Sequence, residues 1–355
     1  MPSLSHDHYF DLSSALHVPD SHTWPTSSLH DHPTATGEAD AIPIIDISGP
    51  NAASLIAACR SCGVFYATGH GVPARLLHDV ELQVRRLFSL PLHRKLLAAP
   101  CSGSVSGYGR PPLSSFFPKL MWSEGFTLSG DPLPVASKLW PHDYSRFCEL
   151  IEEYYKEMKK LAERLIKLML LSLGLDEDEM DRVGPVKELL RATDVLQLNS
   201  YPACPDPERA MGMAAHTDSA LLTILHQSDG TDGLQVLRDG EGSGPAHWAG
   251  VPPLPGALVI IVGDLFQILS NGRFQSSRHR AAVSRADHRV SIAYFIGPPE
   301  DVKIGPVGSL VDQGRGPEYR PVTWPEYLGI RAHLFDSALA SVTLCGMTED
   351  AEKND

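Results

Sequence analysis

The second half of the chain is a succession of short apolar runs, each cut off by Gly, Pro, Asn or Asp. They read DVLQLNSYP, ALLTILHQ, GLQVLRDG, HWAGVPP, GALVIIVGD, QILSNGRF, RHRAAVS and RVSIAYFIG. Runs this short, rich in Val, Ile, Leu and Tyr and closed by turn residues, fit strands of a sandwich or barrel rather than helices. The first half has a different pattern. AIPIIDIS (41–48) reads as a strand, NAASLIAACRSCG as a helix stopped at Gly63, and VFYATGHGVP as a strand and turn. From Pro73 to about Leu90, Leu76, Leu77, Val80, Val84, Leu87 and Phe88 recur at helical spacing. The clearest helix runs from about Asp143 to Leu173, with Phe147, Leu150, Ile151, Tyr154, Met158, Leu161, Leu165 and Leu168 on one face and Gly174 as its cap. Gly103 to Pro118 reads as an irregular loop. TWPEYLGIRAHLF reads as a last helix, with Thr323 and Glu326 in capping-box positions and Pro325 in the first turn. The expectation is an α+β chain whose helical N-terminal part wraps a C-terminal β-core.

Composition narrows the functions open to such a fold. The 355 residues carry 30 Lys plus Arg against 43 Asp plus Glu, a net charge of −13. That balance argues against a sequence-independent grip on nucleic acid and against attraction to anionic lipid. The six cysteines are irregularly spaced, which reads as reduced thiols. Cys59 and Cys62 form a C-x-x-C with no second pair, so they read as two buried small residues. No apolar run reaches membrane-spanning length and no secretory signal is visible, so the expected location is cytoplasmic.

The chemistry gathers in AAHTDSALLTIL. His216 and Asp218 stand two apart, so in an extended chain both project to one side. An H-x-D alone says little, and the HDH stretches at His6–His8 and His30–His32 read as solvated. The company of His216 and Asp218 says more. His279 lies in a second strand-like run, Arg289 and Ser291 form another i, i+2 pair, and Asn199 and Tyr201 a third. Burying these groups unpartnered costs roughly 1–3 kcal/mol each, and more for charges. A metal together with an anionic ligand would satisfy them jointly. Two imidazoles and one carboxylate with open positions are the facial triad of non-haem Fe(II) oxygenases. Arg289 fits a forked donor to a carboxylate, with Ser291 and Tyr201 adding hydroxyls. His226, His247 and His288 lack a pairing pattern and read as structural, and DGTDG (229–233) reads as a turn rather than a calcium loop. Asp239–Gly244 reads as a hairpin linker.

These residues, with PIIDIS, GVFYATGHGVP, LNSYPACPDPERAMGMAAHTDS, GLQVLRDG, VGDLFQILSNGRFQSSRHRA and HRVSIAYFIGPP, make the chain similar to the plant 2-oxoglutarate- and Fe(II)-dependent dioxygenases over roughly Ile42 to Phe335. GYGRPPLSSFFPKLMWSEGFTLSG and YRPVTWPEYLGIRAHLF resemble the gibberellin 3-oxidase group of that family in particular. The resemblance implies a double-stranded β-helix, or jelly-roll, core at 191–300. It would be preceded by a helical and stranded region at 41–190 and followed by a C-terminal helix and tail at 301–355, while residues 1–40, rich in His, Ser, Pro and Asp and without periodicity, read as a loosely ordered arm. It implies Fe(II) held by His216, Asp218 and His279, 2-oxoglutarate as co-substrate held by Arg289, Ser291, Tyr201 and Asn199, O2 as oxidant and ascorbate as reductant. The implied reaction is 3β-hydroxylation of a gibberellin-type diterpenoid acid, with 2-oxoglutarate decarboxylated to succinate and CO2. Tyr108, Phe116, Trp122 and Ser123 are candidates for the substrate pocket, and Lys119 and Arg110 for its carboxylate partner. Gln267, where family members often carry His, is a departure that would bear on the substrate pocket; Arg278 is another, without an assigned effect. The only partner expected is the small-molecule substrate, with no nucleic acid, membrane or obligate protein partner. Alternatives are oxidation at another ring position or of another plant metabolite, a catalytically silent binding protein on the same fold, and a structural zinc site, which would need a fourth protein ligand.

Overall fold

Strand alternation fixes the architecture. The computed structural model describes residues 11–25, 41–49, 52–101, 104–110, 112–182, 193–239, 245–312, 314 and 316–344. Fourteen strands are formed among them: β1 (Ile44–Asp46), β2 (Val64–Thr68), β3 (Gly107–Gly109), β4 (Glu124–Leu128), β5 (Thr193–Tyr201), β6 (Met213–His216), β7 (Leu222–Gln227), β8 (Leu234–Arg238), β9 (His247–Gly250), β10 (Leu258–Val262), β11 (His279–Ala281), β12 (Arg289–Gly297), β13 (Lys303–Ile304) and β14 (Val322–Thr323). Eight of them make one sheet in the order β1-β2-β10-β7-β12-β5-β4-β3, and four make a second in the order β6-β11-β8-β9. All pairings are antiparallel except β1 with β2. The two sheets form the jelly-roll, and the larger one is extended by strands from the N-terminal half.

Each central strand serves two layers. On β12, Val290, Ile292, Tyr294 and Ile296 belong to the main core, whereas Ala293 joins a second core between the sheets. On β10, Leu258, Ile260 and Val262 face the first, Val259 and Ile261 the second. The first layer is completed by helices α1 (Ala52–Ser61), α2 (Ala74–Phe88), α3 (Leu92–Lys95), α4 (Leu133–Leu139), α5 (Ser145–Ser172) and α6 (Glu177–Arg182). The 28-residue α5 is the main slab, burying Phe147, Leu150, Ile151, Tyr154, Met158, Leu161, Leu165, Ile166, Met169 and Leu170. Each such side chain stabilises the fold by about 1.5–3 kcal/mol relative to exposure. Gly174, at φ 95°, ends the helix as its sequence position suggests: its N–H bonds the Leu171 carbonyl and that of Leu175 bonds Leu170. Short α7 (Asp264–Leu269) follows β10, and α8 (Trp324–Leu334) opens with the expected capping box of Thr323 and Glu326. Cys59 and Cys62 are buried, as their spacing alone suggested.

One expectation changes. Residues 11–25, part of the segment read as a loose arm, are folded onto the core. Leu12 and Val18 pack with Trp122, Cys204 and Ala210, while Trp24 joins Met121, Tyr201 and Met213 and donates from Nε1 to the Leu120 carbonyl at 2.9 Å. The anchors are six residues apart, too sparse to set up a helix or strand period, so no local pattern announces them. The His6–His8 and His30–His32 stretches and most of the 239–244 linker lie outside the described residues. No described helix is long and apolar enough to cross a membrane.

Burial holds His22 and His226 at about 4, from an ordinary 6.5, with Arg110 adding to the effect at His22. The unfolded chain therefore binds more protons between these values. Stability should be full above about pH 6.5 and fall as pH drops toward 4. Thermal midpoints measured from pH 7 to 5 should show this decline, and the double variant His22→Gln/His226→Gln should show a shallower one; an unchanged slope would contradict the assignment.

Candidate active site

The register of three neighbouring strands assembles the first half of the site. β12 pairs with β5 so that Arg289 lies opposite Tyr201 and Ser291 opposite Asn199, and with β7 so that Ser291 lies opposite Gln227. Side chains of one parity therefore share the face between the sheets. Arg289, Ser291, Tyr201 and Asn199 are all 5% exposed or less. The Arg289 guanidinium lies 5.1 Å from the Tyr201 ring centre, donates from Nη2 to Gln227 Oε1 at 2.7 Å, and has a buried Nε with no partner. The Tyr201 hydroxyl bonds Arg289 and Ser291; burial raises its pKa, and these two contacts work against the rise. Asn199 accepts from Gln197 Nε2 at 3.2 Å. Gly233 leaves the space Arg289 needs, since a Cβ there would meet Arg289 Cδ at 2.9 Å. A buried cation whose side-chain acceptors, Gln227 and Tyr201, are neutral and which keeps an unused donor is suited to an anion.

The second half lies where β6 meets β11. His216 and His279 are directly opposite in register, their ring centres 4.3 Å apart. The sequence suggested that His216 and Asp218 share a strand. Instead His216 ends β6, and Asp218 sits in the link to β7, clamped by backbone bonds to the start of α7: Asp264 N–H to the Asp218 carbonyl at 2.8 Å and Gly263 N–H to Leu221 at 3.0 Å. Gly263 is required here, because a Cβ would lie 2.1 Å from the Ala220 carbonyl oxygen. His216 Nδ1 donates to the Ala214 carbonyl at 2.8 Å and His279 Nδ1 to that of Ser277 at 3.0 Å. Carbonyls only accept, so both protons reside on Nδ1 and both Nε2 lone pairs turn inward. Asp218 Oδ2 accepts from Thr223 Oγ1 at 2.6 Å, which leaves Oδ1 at 3.7 Å from His216 Nε2 and 3.8 Å from His279 Nε2. The three ligand atoms lie within 4.8 Å of one another, and no other such group occurs among the described residues. Burial, then the neighbouring His279, holds His216 at about 3. Burial opposes the Asp218 charge, yet His279 and His216 outweigh it and keep the carboxyl low. Neutral imidazoles and ionised carboxylates are the forms in which such side chains bind a divalent metal.

The other sequence candidates separate. Phe116 is half-buried and stacks on Phe335 at 4.6 Å, beside Arg331. Ser123 precedes β4, whose register with β5 puts it alongside Tyr201; its buried Oγ has no partner. Tyr108 does not join them. Its hydroxyl donates to Glu124 Oε1 at 2.7 Å and its ring packs in the helix-side core, because its position in β3 has the opposite parity. Trp122 is fully buried beneath the 11–25 segment and bonds the Pro202 carbonyl. Lys119 donates to the Asp20 carbonyl, and Arg110 lines a small cavity with His22 and Ser123. Gln267 bonds Tyr319 and the Ser276 N–H, so its amide is used in holding the C-terminal segment; Arg278 forms a surface ion pair with Asp336 at 2.8 Å. His288 bonds Ser200 and has no part in the metal group. Sequence reasoning missed Thr223 and Gln227, although their polar side chains interrupt the apolar run LTILHQ four residues apart, on one side of the strand.

A jelly-roll holding two histidines and an aspartate around one point, with a buried arginine for an acid, is the architecture of a non-haem iron oxygenase. Residues 192–298 match the 2OG-Fe(II) oxygenase superfamily, and residues 42–145 the N-terminal region described as non-haem dioxygenase in morphine synthesis. Gibberellin 3-beta-dioxygenase 1 of Pisum sativum is 47% identical, covering 97% of this chain and 95% of its own, and that of Arabidopsis thaliana is 48% identical, covering 96% and 94%. Among solved structures, JOX2 in complex with 2OG, Fe and JA superposes with a TM-score of 0.78 at 31% identity, covering 93% of this chain and 95% of that one. The dioxygenase for auxin oxidation in rice gives 0.70 at 30%, covering 85% and 100%. The chain belongs to the 2OG-Fe(II) oxygenase superfamily, in the branch of the plant gibberellin 3-beta-dioxygenases.

Two substitutions separate the halves of the site. Thr223→Val should weaken Co(II) or Fe(II) binding by about 10–100-fold while leaving 2-oxoglutarate recognition intact, checked by metal titration. Arg289→Lys loses the planar fork and should raise the KM for 2-oxoglutarate about tenfold or more; an unchanged KM would contradict the anion role.

Proposed function

We propose that the protein is a gibberellin 3β-hydroxylase dependent on Fe(II) and 2-oxoglutarate. The observation that carries the substrate is the near full-length likeness to enzymes named for that reaction, at 47% and 48% identity. The chemistry is supported by the three converging ligand atoms and the buried Arg289. His216 and His279 hold the iron through Nε2 and Asp218 through Oδ1. When bound, the iron supplies O2 activation coupled to decarboxylation of 2-oxoglutarate to succinate and CO2 and to hydroxylation of the substrate.

The protein's own side chains position the reactants and exclude water. Arg289 grips the far carboxylate of 2-oxoglutarate, with the hydroxyls of Ser291 and Tyr201 beside it and Asn199 in the next row. Ser123, an unpaired hydroxyl on the same face as Tyr201, serves a polar group of the gibberellin, and Phe116 with Phe335 forms an apolar wall. Ascorbate acts as reductant, and the protein works in the cytoplasm.

The test is to incubate purified protein with Fe(II), 2-oxoglutarate, ascorbate and labelled gibberellin precursors, locating the new hydroxyl in the product. A 3β-hydroxyl with matching succinate is expected. Oxygen at another position only would overturn the regiochemistry, and no substrate-coupled succinate would favour a silent binding protein. His216→Ala should abolish turnover while retaining the fold by circular dichroism. Ser123→Ala should raise the KM for the gibberellin about tenfold, the worth of one good hydrogen bond, without changing that for 2-oxoglutarate.

A further inference from the structure

A second buried carboxylate lies behind the metal ligands and touches none of them through its side chain. Asp264, 1% exposed at the start of α7, accepts four side-chain hydrogen bonds. Oδ1 takes Ser276 Oγ at 2.6 Å; Oδ2 takes Tyr327 Oη at 2.8 Å, Arg331 Nη1 at 3.1 Å and Thr217 Oγ1 at 3.1 Å. The donors come from three places in the chain. Thr217 is the residue between His216 and Asp218. Ser276 adjoins Ser277, whose carbonyl sets the His279 tautomer. Tyr327 and Arg331 are successive turns of α8, and Arg331 Nη2 also donates to the Thr217 carbonyl. The Asp264 N–H bonds the Asp218 carbonyl as well.

We propose that Asp264 is a positioning residue that ties the two ligand-bearing segments to each other and to the C-terminal helix, so that metal affinity and docking of α8 are linked. The inference rests on the reading of His216, Asp218 and His279 as metal ligands. Hydrogen-bonded supports behind metal ligands typically contribute 10–100-fold in metal affinity, and linkage is reciprocal, so metal binding in turn holds α8 down.

Co(II) titration followed by visible absorption, with hydrogen exchange of residues 324–334, tests it on the full chain. Asp264→Asn keeps the shape and removes the charge; it should bind Co(II) about 10–100-fold more weakly and lose the metal-dependent protection of α8 seen in the wild type. Arg331→Gln should weaken binding in the same direction, and the double variant should be no weaker than Asp264→Asn alone. Glu124→Gln is the control, since it breaks the buried Lys95–Glu124 pair on the helix side of the sheet, at 2.8 Å, and should lower stability without changing Co(II) affinity. If Asp264→Asn does not fold, Ser276→Ala and Tyr327→Phe each remove one donor, and a two- to tenfold loss is expected on the scale of one hydrogen bond. Wild-type Co(II) affinity in these variants, with stability alone reduced, would overturn the proposal while leaving the ligand assignment standing. A wild-type protein that binds no Co(II) would overturn both.

Discussion

The hydrogen-bonded ladder of β5, β12 and β7 is the constraint on which the site depends. It brings Tyr201 opposite Arg289 and stacks Asn199, Ser291 and Gln227 in one row. A guanidinium is expensive to bury, and no single side chain here neutralises it. The ladder offsets that cost by surrounding Arg289 with fixed dipoles: Gln227 accepts one N–H, and the Tyr201 ring and hydroxyl lie against the group. The end proposed to bind the anion is thus built into regular secondary structure, where rotamers and backbone leave little freedom.

The candidate metal end is built differently. His279 is in a strand, His216 closes one, and Asp218 lies in a link outside any strand. Precision there comes from hydrogen bonds that each use one side of a ligand and leave the other free. Carbonyls of Ala214 and Ser277 occupy the Nδ1 positions, and Thr223 occupies Asp218 Oδ2. Thr223 is itself on β7, on the same side as Gln227, so one strand supports both ends of the site.

Much of this was legible in the sequence, and the boundary of legibility has a physical origin. The strand runs, the α5 stripe and the pairs Asn199/Tyr201 and Arg289/Ser291 follow from periods of two and 3.6, which short windows reveal, and the α8 capping box from local end chemistry; the spacing picked out His216 and Asp218, although Asp218 lies beyond the strand. Trp24 and Leu12 were hidden because isolated anchors have no period. For Tyr108 and Trp122, composition identifies an aromatic loop but not which face of the sheet each ring takes. Arg331 and Tyr327 were read only as parts of the last helix, since their partner Asp264 is more than sixty residues away in the chain and nothing local announces the contact.

The division of labour along β12 has a consequence for how such a chain can vary. Its even-numbered residues from Val290 to Ile296 belong to the helix-side core, while Arg289 and Ser291 belong to the chamber. Losing or gaining one residue within the strand would exchange the two sets, sending isoleucines into the polar chamber and the arginine beneath the helices. Length changes of a single residue are therefore forbidden there twice over, by stability and by chemistry. Hydrophobic exchanges on the helix side face only the first constraint, so sequence drift in this protein should accumulate on one edge of the zigzag and spare the other.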